Sequence, residues 1–153
     1  MLIIYIDADA CPVKEEIFRV AKRHNLQVYL VSNSHLSMTV DENVHKIQVN
    51  SDPDAADDWI SEHAKVGDIV VTTDILLAGR CLKNGACAMS PTGKVFNDSN
   101  IGAAKAMREL RAYLRETGIA PSYNATFSKQ KRSHFLQALE EMIQSIKRIS
   151  EKK

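Results

Sequence analysis

Nowhere does the chain hold the run of about 18 apolar residues that a membrane-spanning helix needs, so no membrane association is expected. The opening Met1-Leu2-Ile3-Ile4-Tyr5-Ile6-Asp7 lacks both a basic region and a small-residue cleavage site. It reads as a strand rather than a signal peptide. Cysteine is scarce: Cys11, Cys81 and Cys87 are odd in number and lack the paired short spacing of a zinc site. Cys81 and Cys87 stand in apolar surroundings, which suits reduced, buried thiols and a cytoplasmic setting. His24, His35, His45, His63 and His134 form no ligand spacing. Internal repeats and low-complexity segments are absent.

Large net charge is missing too, at +1, but the balance hides an asymmetry. Residues 1–104 carry 9 Lys/Arg against 14 Asp/Glu, and residues 105–153 carry 11 against 5. An acidic front with a basic tail suits a metal site beside a phosphate-holding surface; solvated helix faces give the same pattern. What is present is ordinary globular composition, 153 residues with 44% apolar and 25% charged. That length is enough for one domain with its own core. The expectation is a single domain over 1–153, with helices from about residue 99 onward packing on the same core.

Apolar runs alternate with helical patterns. Strands are expected at Leu2–Ile6, Val28–Val31, Ile69–Thr73 and Ala86–Met89, with Lys46–Val49 a further short candidate and Lys94–Phe96 closing a hairpin. Helices are expected from Pro12 to about His24, Ala55 to Lys65, Ile75 to Lys83, Ser99 to Glu116 and Ser128 to Ile149, with Pro121–Thr126 a loop. Such alternation builds crossover units, hence a three-layer α/β/α fold around a mainly parallel sheet of four to five strands. Open sheets of this kind bind ligands outside the carboxyl ends of their strands.

The four clearest strands end in Asp7-Ala8-Asp9, Ser32-Asn33, Thr73-Asp74 and Ser90-Pro91. A further carboxylate source is Asp54-Ala55-Ala56-Asp57-Asp58, where residues three or four apart share a helix face. Asp7, Asp74 and one of the helix aspartates can therefore meet. Clustered carboxylates resist ionising together unless a cation intervenes, and Mg²⁺ or Mn²⁺ takes such oxygens. For Asp9 and Asp54, helix capping is the competing reading. Asp68, after Gly67 in a turn, reads as structural. Asp7 and Asp74 end apolar strands, where a lone carboxylate is costly.

Asp7-Ala8-Asp9 with Leu30-Val31-Ser32-Asn33 also resembles the opening motifs of haloacid-dehalogenase-type phosphatases, with Asp7 as an aspartyl-phosphate nucleophile. Their Gly-Asp motif follows an apolar strand, however, and Gly67-Asp68 precedes one.

Several blocks in order carry a wider resemblance: Asp7-Ala8-Asp9-Ala10-Cys11-Pro12, Asp54-Ala55-Ala56-Asp57, Gly67 to Ile75, Lys83-Asn84-Gly85-Ala86, Ser99-Asn100-Ile101, Met107-Arg108 and Phe127-Ser128. Through nearly its whole length the chain resembles the uncharacterised bacterial YaiI/YqxD family, itself similar to PIN-like and NYN-type domains. That resemblance implies a PIN-like fold and an acidic cluster of Asp7, Asp57 and Asp74 holding Mg²⁺ or Mn²⁺. Asp9, Asp54, Asp58, Ser32, Thr73 and Ser90 would support it. The chain departs from the family in Ala120-Pro121-Ser122-Tyr123-Asn124, where a Gly-Gly-Pro stretch is common, and at Lys131, where an acidic residue is common.

The leading expectation is a metal-dependent nuclease acting on RNA, with Arg108, Arg111, Lys129, Lys131 and Arg132 as backbone contacts. The alternatives are a non-catalytic PIN-like module that binds RNA or protein and, third, the aspartyl-phosphate phosphatase.

Overall fold

The computed structural model describes residues 2–52, 54–116 and 129–151. The expected loop at Pro121–Thr126 and the Phe127-Ser128 motif lie outside them. Five helices and six strands follow in the order β1 (Ile3–Asp7), α1 (Lys14–His24), β2 (Gln27–Ser32), β3 (Val44–Gln48), α2 (Ala55–His63), β4 (Ile69–Val71), α3 (Ile75–Lys83), β5 (Cys87–Met89), β6 (Val95–Phe96), α4 (Ile101–Glu116) and α5 (Lys129–Glu151). The sheet order is β3-β2-β1-β4-β5-β6. All neighbours are parallel except β5 and β6.

Two apolar layers sandwich the sheet, because each central strand buries both of its faces. On one side Ile4, Ile6, Val28, Leu30, Ile69 and Val71 meet α1 and α5. On the other, Tyr5, Val31 and Val70 meet α2, α3 and α4. This is the expected three-layer α/β/α arrangement. The sheet has six strands rather than four to five because both short candidates, around Lys46–Val49 and Lys94–Phe96, pair at its edges. A run of two or five residues is too short for periodicity alone to establish a strand; backbone pairing decided both.

Helix α1 begins two residues later than its proline suggested. Ala8–Ala10 form a 3-10 turn that carries the chain out of β1, and Val13 takes the N-cap position without a side-chain cap. Asn25 ends α1 in the left-handed region, φ 57°, and its N–H returns to Ala21 and Lys22 carbonyls. Opposite α1, the α5 residues Phe135, Leu139 and Ile143 repeat every four positions and are fully buried. A polar strap closes the same contact: Glu140 accepts from Arg23, and its other oxygen meets His24 Nε2 at 2.7 Å, while Lys147 Nζ lies 3.0 Å from His24 Nδ1.

Two further histidines, the partly buried His45 and the exposed His63, also serve packing. Tyr5, Tyr29 and His45 stand in register across β1, β2 and β3. His45 stacks on Tyr29 with centroids 4.8 Å apart, and His63 stacks on Trp59 at 3.8 Å.

The chain path reverses beside β1. After β1, β2 and β3 have been laid down in one direction, the chain crosses back and places β4 on the other flank of β1. The carboxyl ends of β1 and β4 thus border the switch point where open sheets form their crevice.

Since α5 attaches chiefly through its apolar face, Phe135→Ala is expected to cost about 3–5 kcal/mol. Arg23→Ala, which removes an exposed ion pair, is expected to cost about 0–1 kcal/mol. Urea unfolding of the two variants checks the contrast; equal losses would show the polar strap to be the stronger tie.

Candidate functional site at the carboxyl edge of the sheet

Asp7 is the last residue of β1, beside Val31 of β2, at the switch point. Its Oδ2 accepts a 2.9 Å hydrogen bond from Thr72 Oγ1. The same Thr72 oxygen accepts from the Asp74 N–H at 2.9 Å, so one buried hydroxyl seats both aspartates. Asp74 occupies the N-cap of α3, where its Oδ1 accepts from the amides of Leu76 and Leu77 at 2.9 and 3.2 Å. Asp57, in the first turn of α2, lies close enough to Asp74 and Asp7 for their charges to act on it.

The electrostatics are one-sided. Burial is the main cause raising Asp7 above the ordinary carboxylate range; Asp9 and Asp74 push the same way, and only the Thr72 hydrogen bond opposes them. Burial, followed by the charges of Asp74 and Asp7, pushes Asp57 up to about 7. Among the described residues, the charged side chains acting on these two groups are all aspartates. No other N–H or hydroxyl reaches the second oxygen of Asp7 among the described residues. Hard carboxylate oxygens with no compensating cation are suitable donors for Mg²⁺ or Mn²⁺. Even so, among the described residues no three His, Cys, Asp or Glu side chains stand ready as a metal-holding group.

The structure separates the three helix aspartates. Asp57 faces Asp7 and Asp74; Asp58 turns outward and pairs with Arg80 at 3.0 Å. Asp54 sits at the N-cap of α2 but makes no capping bond, and Asp52 instead accepts from the Asp54 amide at 2.9 Å. Asp9 does not cap α1 either. Its carboxylate accepts from Ser32 Oγ at 2.6 Å, from Ser34 Oγ at 3.4 Å and from the Asn33 amide at 3.3 Å. The capping aspartate is Asp74, the one that directly precedes a helix with extended backbone.

Ser32 is therefore a support of Asp9. Ser90 bonds Thr92 Oγ1 and the Lys94 amide within the β5–β6 turn, and Thr73 is exposed. Thr72 went unnamed in the sequence reading. The spacing Thr72-x-Asp74, a hydroxyl two residues before a cap, is the signal that could have found it. Asp68 lies at the opposite edge, where it accepts from the Ile3 and Lys65 amides at 3.1 and 2.9 Å. Asp68, the Gly-Asp residue of the phosphatase reading, thus stands away from Asp7.

Of the basic candidates, Arg132 is engaged by Glu16 at 3.1 Å and the Pro12 carbonyl at 2.8 Å. Lys129 is exposed at the start of α5. Arg108, Arg111 and Lys131 line one groove of about 710 Å³, together with Lys94. Thr73 and Ile75, the chain neighbours of Asp74, line it as well, so the groove opens beside the acidic edge.

The raised Asp57 has a consequence for stability. Its folded value of about 7 lies above the unfolded carboxylate value of about 3.9, so the folded chain binds the extra proton between them. This contribution is complete below about pH 4 and is lost as pH rises through about 7. In metal-free buffer, Asp57→Asn is expected to match the wild type at about pH 4 and exceed it at about pH 8. Discounted for partial exposure, the gain at about pH 8 should be on the order of 1 kcal/mol, or roughly 2–4 °C in Tm. Thermal unfolding across pH checks it; parallel curves would show Asp57 to be unperturbed.

Comparison with known proteins agrees with this architecture of motifs. The model of the uncharacterized YaiI/YqxD family matches residues 5–145. A UPF0178 protein of Rhizobium meliloti is 53% identical over 95% of this chain and 99% of its own length. One of Agrobacterium fabrum is 53% identical over 95% of each chain, and one of Rhodospirillum rubrum 51% over 95% and 97%. On a match spanning nearly its whole length, the chain belongs to the YaiI/YqxD family.

Proposed function

We propose that this protein is a metal-dependent nuclease that cleaves RNA phosphodiesters at the carboxyl edge of its sheet. The observation that carries this reading is the approach of Asp7, Asp57 and Asp74 to one another with no cationic partner among the described residues. The resemblance to PIN-like and NYN-type domains supports it. Asp7, Asp57 and Asp74 would hold Mg²⁺ or Mn²⁺, which supplies charge neutralisation and an activated water for in-line displacement at phosphorus. Thr72 positions the first and third of these groups, and Asp9, held by Ser32, Asn33 and Ser34, keeps further negative charge at the edge.

One observation favours a second reading, a PIN-like module that binds RNA or protein without cutting. Among the described residues the carboxylates do not stand as a ready metal-holding group. In the nuclease reading, cation and substrate phosphate together draw them into place.

Calorimetric titration with Mn²⁺ separates the two. Saturable binding to the wild type, abolished in Asp7→Asn/Asp74→Asn, together with Mn²⁺-dependent cleavage of an RNA oligonucleotide, is the nuclease outcome. Failure to bind millimolar Mn²⁺ with or without RNA present would leave the binding module as the function. Thr72→Val, which keeps shape but removes the shared hydroxyl, is expected to weaken Mn²⁺ binding about tenfold, within the range that outer partners of metal ligands contribute. Unchanged Mn²⁺ affinity would show that Thr72 has no positioning role.

A further inference from the structure

The groove beside Asp74 differs in chemistry from the edge it adjoins. The residues of α4 and its start that line it are 100, 103, 104, 107, 108 and 111, the three- and four-residue spacing of a single helix face. Arg108 and Arg111 project from that face, and Lys94 faces them from the β5–β6 turn. Lys131 of α5 closes one end. Among the described residues no Asp or Glu lines the groove, and none of the ion pairs engages Lys94, Arg108 or Arg111. Lys94, Arg108 and Arg111 are therefore available to an incoming anion.

Its walls are also apolar. Ile75, Pro91, Phe96 and Met107 contribute, with Met107 47% exposed. The turn that carries Lys94 is held against α5 at Gly93, φ +92°, where an added Cβ would fall 2.5 Å from His134 Cδ2. The wall therefore stays pressed onto α5 only while position 93 has no side chain. A small free anion would use the cations and leave the apolar walls idle. A ligand with regularly spaced negative charges and flat apolar faces would use both.

We infer that this groove binds a single-stranded oligonucleotide, with phosphates on Lys94, Arg108 and Arg111 and base faces against Met107 and its apolar neighbours. The inference rests on the phosphodiester reading of the acidic edge, since the groove leads the strand past Asp74. A duplex offers its phosphates but keeps its base faces within its own stack. A groove that pairs cations with apolar walls selects the unpaired strand, of either sugar.

The test is fluorescence anisotropy in EDTA with a labelled 12-nucleotide RNA, the same sequence as DNA, the RNA duplex, and polyglutamate as an anion without bases. Either single strand, or both, is expected to bind at least tenfold more tightly than the duplex or polyglutamate, and the RNA and DNA arms identify the preferred sugar. Arg108→Ala/Arg111→Ala should weaken binding at least tenfold and lower the slope of log affinity against log salt by about 1.4, at about 0.7 per phosphate contact. Met107→Ser should weaken binding with no change in that slope. All three substituted positions are exposed on α4, and circular dichroism confirms folding of the variants.

Equal binding of duplex or polyglutamate, no binding of either single strand, or wild-type affinity in the double variant would overturn the assignment. Because no metal is present, strand binding without cleavage in the Mn²⁺ experiment would remove the nuclease activity and leave the groove. Cleavage unaffected by Arg108→Ala/Arg111→Ala would remove the groove and leave the nuclease.

Discussion

Asp7 stands at the end of the central strand, where the chain path divides, and the carboxyl edge is arranged around the cost of placing it there. Its neighbour on β2, Val31, is apolar, burial works against its charge, and Asp9 and Asp74 add repulsion. Among the described residues, the group that eases it is a hydroxyl, that of Thr72. Two apolar layers packed on the sheet offset this penalty, with most residues of the four central strands buried. A fold with less core could not hold the group in that place.

The aspartates at the carboxyl edge and on α2 fall into two physical kinds. Asp9 and Asp58 are satisfied by hydroxyl, amide or guanidinium donors, and their charge is accounted for within the fold. Asp7 and Asp57 are not, and Asp74 shares itself between a helix cap and the pair. Strain of this sort persists at functional sites because the surrounding structure over-determines it. The groove beside Asp74 carries the opposite sign, with Lys94, Arg108 and Arg111 facing one another across it. The uneven charge of the sequence thus has a spatial form: α4 brings part of the basic tail alongside the acidic front.

Much of the fold was legible because it rests on local pattern. The runs Leu2 to Ile6 and Ile69 to Val71 could only be buried strands, and the stripe at Phe135, Leu139 and Ile143 could only be a helix face seeking a core. Ends were less legible. The 3-10 turn at Ala8–Ala10 displaced the start of α1; of the two competing cap readings, Asp9 is claimed instead by the distant Ser32 hydroxyl, and Asp54 holds the N-cap position of α2 without a capping bond. Thr72 was passed over for its neighbour Thr73, since composition does not distinguish the buried hydroxyl from the exposed one.

By itself, then, the sequence determined the layers, the parallel sheet and the presence of aspartates at the ends of β1 and β4. Alternating apolar runs and helical stripes leave few ways to bury both, and right-handed crossovers leave fewer. Tertiary structure alone decided which aspartates meet. Thr72 and Asp7 are 65 positions apart, and Asp58 turns to Arg80 across 22. A carboxylate's role is set by the donors and charges within a few ångströms of it, and those come from strands and helices whose adjacency no local pattern records.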